Sequence, residues 1–550
     1  GTASYYQLRN GIRDYYRTHY QLADSAKNNP NLDPGNCWVS RLGFEPRVGL
    51  AVLQKMLQPL EESGKLKIFA NTRAIAAEVN DDHIKTITAV KGTDQKIIFE
   101  AQYFIDATEL GDLLPLTGTE YVVGAEPSSA TGEPHAHPGA GDPNMVQSLT
   151  YTFAVEFCPG ESHGIAKPDN YEFNREHQPY SFVTEKGVRY LMFGQAPGTP
   201  GSFWAYRRLI DAAQFRDAAF PHDIAMINWH SNDFRGGSII DVNPQEQAQR
   251  LRQAKELSLG FLYWLQTEAP RDDGGFGYPE LKLRKDVMGT EDGLSQFPYI
   301  RESRRIKARQ IIREQDISAE FQQDARAKFF DNSVGIGKYW IDLHRCNDQD
   351  QGLFLPTKPF QIPLGALIPI RVKNLIAGAK NIGTTHITNG AYRLHPVEWA
   401  IGEAAGALAV MAIQSRKSIH EIYENPMLVK RLQYHLVQSG VPLYWFVDVP
   451  IDHEAFKAVQ WLAAIGIIEP DSNTLLFRPN AFLAKKDARI WLKNSIEKFE
   501  IKSEGNKQLV NRFAEKVVGD DALKFTRGQF AQVLANTLAA SFVQRQASGR

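Results

Sequence analysis

The stretch NLIAGAKNIGTTHITNGAYRLHPVEWAIGEAAGALAV, Asn374 to Val410, carries the strongest indication of the fold. Its first residues form an apolar run that ends at Gly378 and Ala379 and is typical of a buried strand. A loop of glycine, threonine and asparagine follows, and the apolar spacing after it predicts a helix from Pro396 to Gln414. This order of strand and helix predicts an α/β domain that its last helix closes.

The loop between this strand and this helix is suited to hold a ligand. Gly383, Thr384 and Thr385 are small, so a ligand can lie against their backbone. Asn381 and Asn389 add side-chain amides that donate and accept hydrogen bonds. A sugar or phosphate group would fit a loop of this kind.

The start of the predicted helix offers a second binding feature. Pro396 fits the first turn, where its missing N–H costs nothing, and the free amides of that turn favour negative charge in front of the helix. Gly402 and Gly406 lie on one helical face and permit close approach to the sheet or to a ligand. The alternative is a glycine-rich helix that packs on a sheet without any ligand.

The composition is that of a globular protein of two or three domains, since the chain has 550 residues and 43% are hydrophobic. The 62 basic and 63 acidic residues nearly cancel, which argues against a nucleic-acid partner and favours small molecules. Three widely spaced cysteines provide neither a disulfide framework nor a zinc motif. The most apolar helical stretch, Ala404 to Ile413, is too short to span a membrane, so no membrane span is expected.

The remaining segments differ in character along the chain. Apolar spacing from Tyr5 to Tyr16 and from Val48 to Leu60 predicts two helices. The runs KLKIFANT, AIAAEV, IKTITAV and QKIIFEAQYFID then predict an antiparallel meander that leads into a buried strand. In the loop-rich middle, helices are predicted at Gln245 to Gln266 and near Arg304 to Glu314. Loop-rich insertions of this kind often shape a substrate cavity.

A second segment with a ligand-binding pattern is YFIDATELGD, Tyr103 to Asp112. The predicted strand ends at Asp106, and the small residues Ala107 and Thr108 follow at its carboxyl end, where ligands cross in α/β proteins. A strand followed by a polar turn is common, so this segment gains weight only beside the others.

Three segments in this order carry a resemblance to a known family. They are IDATELGD (residues 105–112), PYIRESRRI (residues 298–306) and the stretch from Asn374 to Gly406. Together they closely resemble the FAD-dependent oxidoreductase family of the glutathione-reductase-like flavoprotein superfamily, over residues 1–414. The resemblance implies an α/β fold with a Rossmann-type FAD-binding domain in two parts, residues 1–125 and 361–447. It also implies an inserted α+β substrate domain, residues 126–360, over the flavin ring.

The resemblance also assigns the cofactor and the residues that contact it. The cofactor it implies is FAD, and the expected reaction is hydride removal from a C–H bond of a small alcohol or amine to flavin N5. Gly383 belongs to the expected FAD loop. The residues that match the family's two flavin motifs are Asp106, Ala107, Thr108, Gly378, Asn381, Arg393, Glu398 and Gly402.

Five charged or titratable residues are candidates for catalysis or substrate binding. His386, Arg393 and His395 precede the flavin-facing helix and could deprotonate a substrate or hold its carboxylate. The alternative is that they tie a glycine-rich loop together. Arg301 and Arg305 stand four apart, so a helical start would form a charged cluster that binds an anionic substrate. Ordinary intramolecular salt bridges are the alternative for this pair.

The sequence departs from the family pattern at its start. The family opens with a strand and GxGxxG, which hold the pyrophosphate, and no such unit precedes Gly1. A missing leader is the favoured explanation, and a separate polypeptide or lost FAD binding are the others. The chain alone is therefore expected to bind FAD poorly. Two functions remain as alternatives to a one-chain enzyme: an inactive cell-surface binding protein, and one subunit of a split flavoenzyme.

The tail, residues 448–550, resembles an S-layer homology module. The pattern from Asp448 to Leu492 predicts two helices around an FRPN turn. The stretch from Phe525 to Leu538 resembles part of such a module more weakly. Such modules hold cell-wall polymers, which would place the protein outside the cytoplasm or at the cell surface, although the TRAE-like stretch is LAKKDA here. The alternative is a helical domain that only packs on the enzyme. The EPHAH stretch, Glu133 to His137, lacks further ligands at regular spacing, so no metal is predicted.

Overall fold

The structure is a computed structural model, and it describes residues 1–184, 186–216, 218–499 and 525–547. Short 3-10 turns occupy Ala212–Gln214, His230–Asn232, Ala319–Phe321 and Leu364–Leu367. The helices are α1 (Ala3–His19), α2 (Asp24–Lys27), α3 (Pro46–Glu62), α4 (Leu113–Leu116), α5 (Ser128–Thr131), α6 (Tyr171–His177), α7 (Pro244–Thr267), α8 (Lys285–Met288), α9 (Glu314–Ile317), α10 (His386–Tyr392), α11 (His395–Ser415), α12 (Ile419–Glu424), α13 (Pro426–Gln438), α14 (Phe456–Ala464), α15 (Lys485–Lys498) and α16 (Arg527–Ala547).

The strands are short and belong to several small sheets, so the protein is a mixed helix-and-strand structure. They are β1 (Thr72–Asn80), β2 (His83–Lys91), β3 (Gln95–Glu100), β4 (Phe104–Asp106), β5 (Tyr121–Val122), β6 (Phe153–Phe157), β7 (Arg208–Ile210), β8 (Ile224–Ile227), β9 (Leu281–Leu283), β10 (Arg305–Ile306), β11 (Ser333–Gly337), β12 (Ile341–Leu343), β13 (Leu353–Leu355), β14 (Phe360–Pro363) and β15 (Leu375–Ala377).

The parallel pair of β4 and β15 joins the two sequence segments that resemble flavin motifs. Ala377 pairs with Asp106 at the carboxyl ends of both strands, and the Gly378 amide donates to the Asp106 carbonyl at 2.8 Å. The Asn374 side chain bonds the backbone of Ile84, which fixes β15 beside the meander. The prediction of a buried strand that ends at Asp106 is confirmed.

Helix α11 closes this part of the molecule, as the sequence predicted. Pro396 lies in its first turn, and the buried face of the helix packs on β11, β15 and α13. A Cβ added at Gly402 would make an ordinary contact of 3.6 Å with the Gly378 carbonyl oxygen, and one at Gly406 would meet nothing within 4 Å, so this packing does not require either glycine. The helix is longer than the apolar stretch that the sequence suggested, and its length and composition would suffice to cross a membrane. Its burial within the core is typical of a core helix.

The meander consists of β1, β2 and β3, which pair antiparallel in chain order. This confirms the prediction for AIAAEV and IKTITAV. The prediction of a strand over KLKIFANT is wrong, because only its last residue, Thr72, belongs to β1. Asn71 adopts a left-handed φ of 52°, which turns the chain just before the strand begins.

The middle of the chain builds a second core around a four-stranded antiparallel sheet in the order β7, β8, β6 and β9. Helix α7 confirms the predicted helix at Gln245 to Gln266 and buries Phe261 and Leu265 in this core. Aromatic residues dominate here, as in the edge-to-face contact of Phe203 with Trp229 at 5.1 Å. The domain boundaries at 126 and 360 remain predictions.

The segment from Arg301 to Ile306 is extended, so the prediction of a helix near Arg304 to Glu314 is wrong. Arg305 and Ile306 form β10, which pairs antiparallel with β5, and α9 starts only at Glu314. The side chains on this segment bond partners far away in the sequence. Those long-range contacts, rather than helical spacing, hold the backbone.

The tail packs on the same hydrophobic cluster as α11. Its helices α14 and α15 bury Trp461 and Trp491 in that cluster, and Phe530 of α16 joins them. The predicted helices of the tail are thus present, while its extent as a separate domain and its binding of cell-wall polymer remain predictions. Residues 500–524 and 548–550 of this predicted module lie outside the described residues.

Candidate active site

A cavity of about 780 Å³ opens in front of the N terminus of α11. Four of the predicted site residues line it, namely Arg301, Arg393, His395 and Glu398. A second cavity of about 440 Å³ shares part of this wall, including His395. The main cavity is therefore the place where the sequence-predicted residues come together.

The first turn of α11 points into the main cavity. Leu394 is the N-cap residue, and no side chain from the described residues caps the helix. Leu394, His395 and Pro396 all line the cavity. An uncapped helix start presents positive partial charge, so this wall favours an anionic or electron-rich group.

A buried lysine lies between two carboxylates on the same wall. The Lys380 ammonium is 2.8 Å from the Glu109 carboxylate and 3.5 Å from the Glu398 carboxylate. Burial raises the pKa of Glu398 to about 7, and Lys380 only partly opposes this shift. Glu398 can therefore gain or lose a proton near neutral pH.

Arg393 reaches across the cavity floor to Tyr299 and Asp342. Its guanidinium donates to the Tyr299 hydroxyl at 3.0 Å and to the Asp342 carboxylate at 3.2 Å. Tyr339 also donates to Asp342 at 3.1 Å. The buried Nε of Arg393 has no hydrogen-bond partner among the residues that the structure describes.

A histidine and an aspartate form a tight pair beside this floor. Nδ1 of His344 lies 2.7 Å from Asp233, and Arg301 holds the other carboxylate oxygen at 2.9 Å. Burial alone would raise the pKa of Asp233, but Arg301 and His344 hold that pKa far below its usual value. The ionised Asp233 accepts from Nδ1–H of His344, and Nε2 on the opposite side of the ring faces the Asp342 carboxylate at 3.7 Å.

Asp233, Arg301, Asp342, His344 and Arg393 are linked by these bonds and by the contact between His344 and Asp342, and we call them the cavity network. Next to it, His230 stacks on His344 with ring centroids 5.8 Å apart, and burial lowers the His230 pKa to about 4. His230, Asp233 and His344 bring possible metal-ligand atoms within 4.8 Å of one another, although Asp233 is already neutralised by Arg301.

Sequence reasoning missed His344 and Asp233, which stand 111 residues apart. Their only local signal is the polar HSND stretch, residues 230–233, in a loop-rich region. Nothing in that spacing indicates the partner.

His386 and Arg305 lie away from the main cavity. Nδ1 of His386 is 2.9 Å from the Glu302 carboxylate, which also pairs with Arg305. Arg305 bonds Glu126 at 2.9 Å, and Glu126 accepts from the His386 amide at 2.9 Å. We call Glu126, Glu302, Arg305 and His386 the closed network. Burial opposes charge on His386, but Glu302 outweighs that effect and raises its pKa.

Most of the other residues predicted to contact the flavin lie at the carboxyl ends of β4 and β15 or in the segments that follow these strands. Asp106 accepts from the Thr108 amide at 3.0 Å and hydroxyl at 2.7 Å, while its backbone carbonyl accepts from the Asn381 amide group at 2.9 Å. A Cβ added at Gly383 would lie 2.4 Å from the Ala308 Cβ, so its small size serves packing. Gly378 follows β15, packs on Ile105 and lies next to Ala107, which follows β4.

Comparison with known proteins gives one match. The model of a family described as FAD dependent oxidoreductase matches residues 2–436, which is most of the chain. Neither the curated proteins nor the solved structures contain a match.

Proposed function

The chain belongs to the FAD-dependent oxidoreductase family, and from this premise we propose that the cavity in front of α11 holds the flavin ring and the substrate. The protein is an FAD-dependent oxidoreductase, and FAD is its cofactor. The uncapped start of α11 on the wall of the main cavity carries the proposal.

The residues of this cavity fit a flavin. Its volume of about 780 Å³ lies in the range of ligand sites. The buried Nε of Arg393 has no partner among the described residues, and the helix start has no side-chain cap. Both can donate to an oxygen or to an electron-rich ring. Arg393 and Glu398 would thus contact the ring, with Lys380 beside them.

Asp106, Ala107, Thr108, Gly378, Asn381, Gly383 and Gly402 are proposed to build the rest of the cofactor site. Their contacts support this role indirectly. They fix the carboxyl ends of β4 and β15, where α/β proteins bind ligands, and Gly402 of α11 faces that edge. They would position the cofactor through the backbone rather than through free side chains.

The proposed reaction removes hydride from a C–H bond of a small alcohol or amine. Bound FAD would supply the two-electron acceptor for this step. The chain itself must remove a proton from the substrate hydroxyl or ammonium group. We assign this role to Nε2 of His344, because Asp233 fixes its ring from the other side. His395, on the same wall, is the second candidate.

Arg393 and Arg301 have different proposed roles in this scheme. Arg393 keeps an unused donor at the cavity floor and can hold a substrate oxygen. Arg301 orients Asp233 and therefore acts on the substrate through His344. His386 and Arg305 support the wall from behind, since the closed network does not line the main cavity.

Flavin content and anaerobic bleaching test the proposed function. The purified full-length protein should show the visible absorption bands of FAD, and a reducing alcohol or amine should bleach them without oxygen. The His344→Gln variant should keep its flavin and bleach at least about a hundredfold more slowly, as expected for loss of a general base. A protein that neither carries nor takes up FAD would contradict the proposal.

The Asp233→Asn variant separates orientation from catalysis. It keeps the His344 ring but favours the wrong ring tautomer, so bleaching should slow and its pH profile should shift. Glu424→Gln, an exposed change far from the cavity, is the matched control and should leave both unchanged. If Asp233→Asn bleaches at the wild-type rate at every pH, the pair has no role in proton transfer.

A further inference from the structure

Two arginines on the wall of the main cavity lack an acidic partner. Within the residues that the structure describes, neither Arg9 nor Arg207 forms a salt bridge, and the buried Nε of Arg207 has no hydrogen-bond partner. Arg207 makes a long bond of 3.4 Å to the Tyr206 hydroxyl, and Arg9 lies 5.8 Å from the Tyr5 ring centre. Both guanidinium groups therefore keep unused donors.

The other cations of the cavity are neutralised. Lys380 pairs with Glu109, Arg301 with Asp233 and Arg393 with Asp342. Arg9 and Arg207 thus carry positive charge on this wall that no carboxylate of the described residues neutralises. A partly buried guanidinium without a carboxylate is costly unless a ligand supplies the opposite charge.

The same two arginines also line the smaller cavity of about 440 Å³. Its remaining wall is largely apolar and comes from α1, α3 and the segments around them. Its apolar side chains include Leu8, Ile12, Leu42, Phe44, Leu53 and Leu209. A ligand at the junction would meet two positive charges at one end and an apolar pocket at the other.

We propose that the substrate is a small organic anion whose acidic group binds Arg207 and Arg9 while its apolar body occupies the smaller cavity. The guanidinium fork matches a carboxylate in two parallel hydrogen bonds. This substrate class deepens the proposed function and rests on it. The phosphates of FAD share the same chemistry, so the experiment must distinguish the two sources of negative charge.

Calorimetric titration of the full-length protein with hexanoate tests the proposal without any need for turnover. Hexanoate should bind at least about tenfold more tightly than acetate, because its longer chain buries more apolar surface. It should also bind at least about tenfold more tightly than 1-hexanol, which lacks the charge. Equal affinities for hexanoate and 1-hexanol would overturn the proposal.

Variants identify the groups that bind the acid. Arg207→Ala should weaken hexanoate at least about tenfold, and Arg9→Ala should weaken it to a smaller extent. Arg207→Lys keeps the charge and should retain part of the affinity, which shows that the site still folds. The control is Arg309→Ala, since Arg309 pairs with Glu424 on the surface. Unchanged hexanoate affinity in Arg207→Ala would overturn the proposal.

Flavin retention distinguishes the two anions. Arg207→Ala should keep its FAD affinity within about twofold, whereas a loss of about tenfold would assign Arg207 to a cofactor phosphate and overturn the proposal. A colourless protein that takes up no FAD but shows the expected hexanoate pattern would contradict the proposed function and leave the anion site intact.

Discussion

The closed network and the cavity network contain the same residue types but differ in whether their charges and hydrogen-bonding groups all have partners. In the closed network, Glu302 lies between His386 and Arg305, and every charge meets an opposite one. In the cavity network, Arg393 keeps a buried donor without a partner among the described residues. Unused hydrogen-bonding capacity on a cavity wall, rather than residue type, distinguishes a candidate active site from a structural cluster.

The largest effect is expected in the closed network. Glu302→Gln removes the charge that compensates Arg305 and His386 in full burial, so the free energy of unfolding should fall by about 3–5 kcal/mol. Urea denaturation at neutral pH measures this. Glu424→Gln on the surface should change stability by less than about 0.5 kcal/mol. A loss below about 1 kcal/mol for Glu302→Gln would show that the network is not essential to the fold.

A somewhat smaller effect, with a pH dependence, is expected at Glu398. Its pKa is raised to about 7 from 4.5, so the folded protein resists the ionisation that the unfolded chain accepts. The wild type therefore loses stability as pH rises from about 4.5 to 7. Glu398→Gln should be more stable by about 3 kcal/mol above pH 7, with the difference vanishing below about pH 4.5.

Urea denaturation of both proteins across this pH range tests the shift. A stability difference that does not vary with pH would contradict the raised pKa. Glu424→Gln offers a matched control, because Glu424 is exposed and does not line the cavity.

Replacing Arg393 in the cavity should change flavin binding more than it changes stability. Arg393→Ala leaves Asp342 bonded to Tyr339, so the free energy of unfolding should fall by only about 1–2 kcal/mol. Flavin affinity or turnover should fall at least about tenfold, measured by flavin fluorescence and bleaching rate. If both remain at the wild-type values, Arg393 does not belong to the site.

The smallest change in stability is expected at Arg207. Because no acidic partner is lost among the described residues and an uncompensated, partly buried charge is removed, Arg207→Ala should raise the free energy of unfolding, by no more than about 1 kcal/mol. The same denaturation experiment measures it. A loss of more than about 2 kcal/mol would place Arg207 with the structural charges and remove the contrast between the two networks.

Local patterns in the sequence predict much of the frame. The buried strand that ends at Asp106 and the helices α7 and α11 follow from apolar runs and from prolines in the first helical turn, which act over a few residues. The prediction of a helix near Arg304 to Glu314 is wrong, because side chains there bond distant residues, as Arg304 does with Asp241 and the Leu110 carbonyl. Such contacts leave no periodic signal.

The candidate site likewise combines residues that a local sequence motif predicts with residues that only the fold brings together. Arg393, His395 and Glu398 were found because they belong to one continuous motif before and within α11. His344 is missed because the fold alone brings it from a distant loop to this wall and to Asp233. Only a three-dimensional structure shows that pairing, and only it shows that Arg207 lacks an acidic partner among the described residues.

The most direct test of the flavin site is a crystal structure of the full-length protein with FAD. The account expects the flavin ring in the main cavity, with the start of α11 and the side chains of Arg393 and Glu398 against it. A ring bound elsewhere, such as in the separate cavity of about 230 Å³ that Glu126 and His386 line, would contradict it.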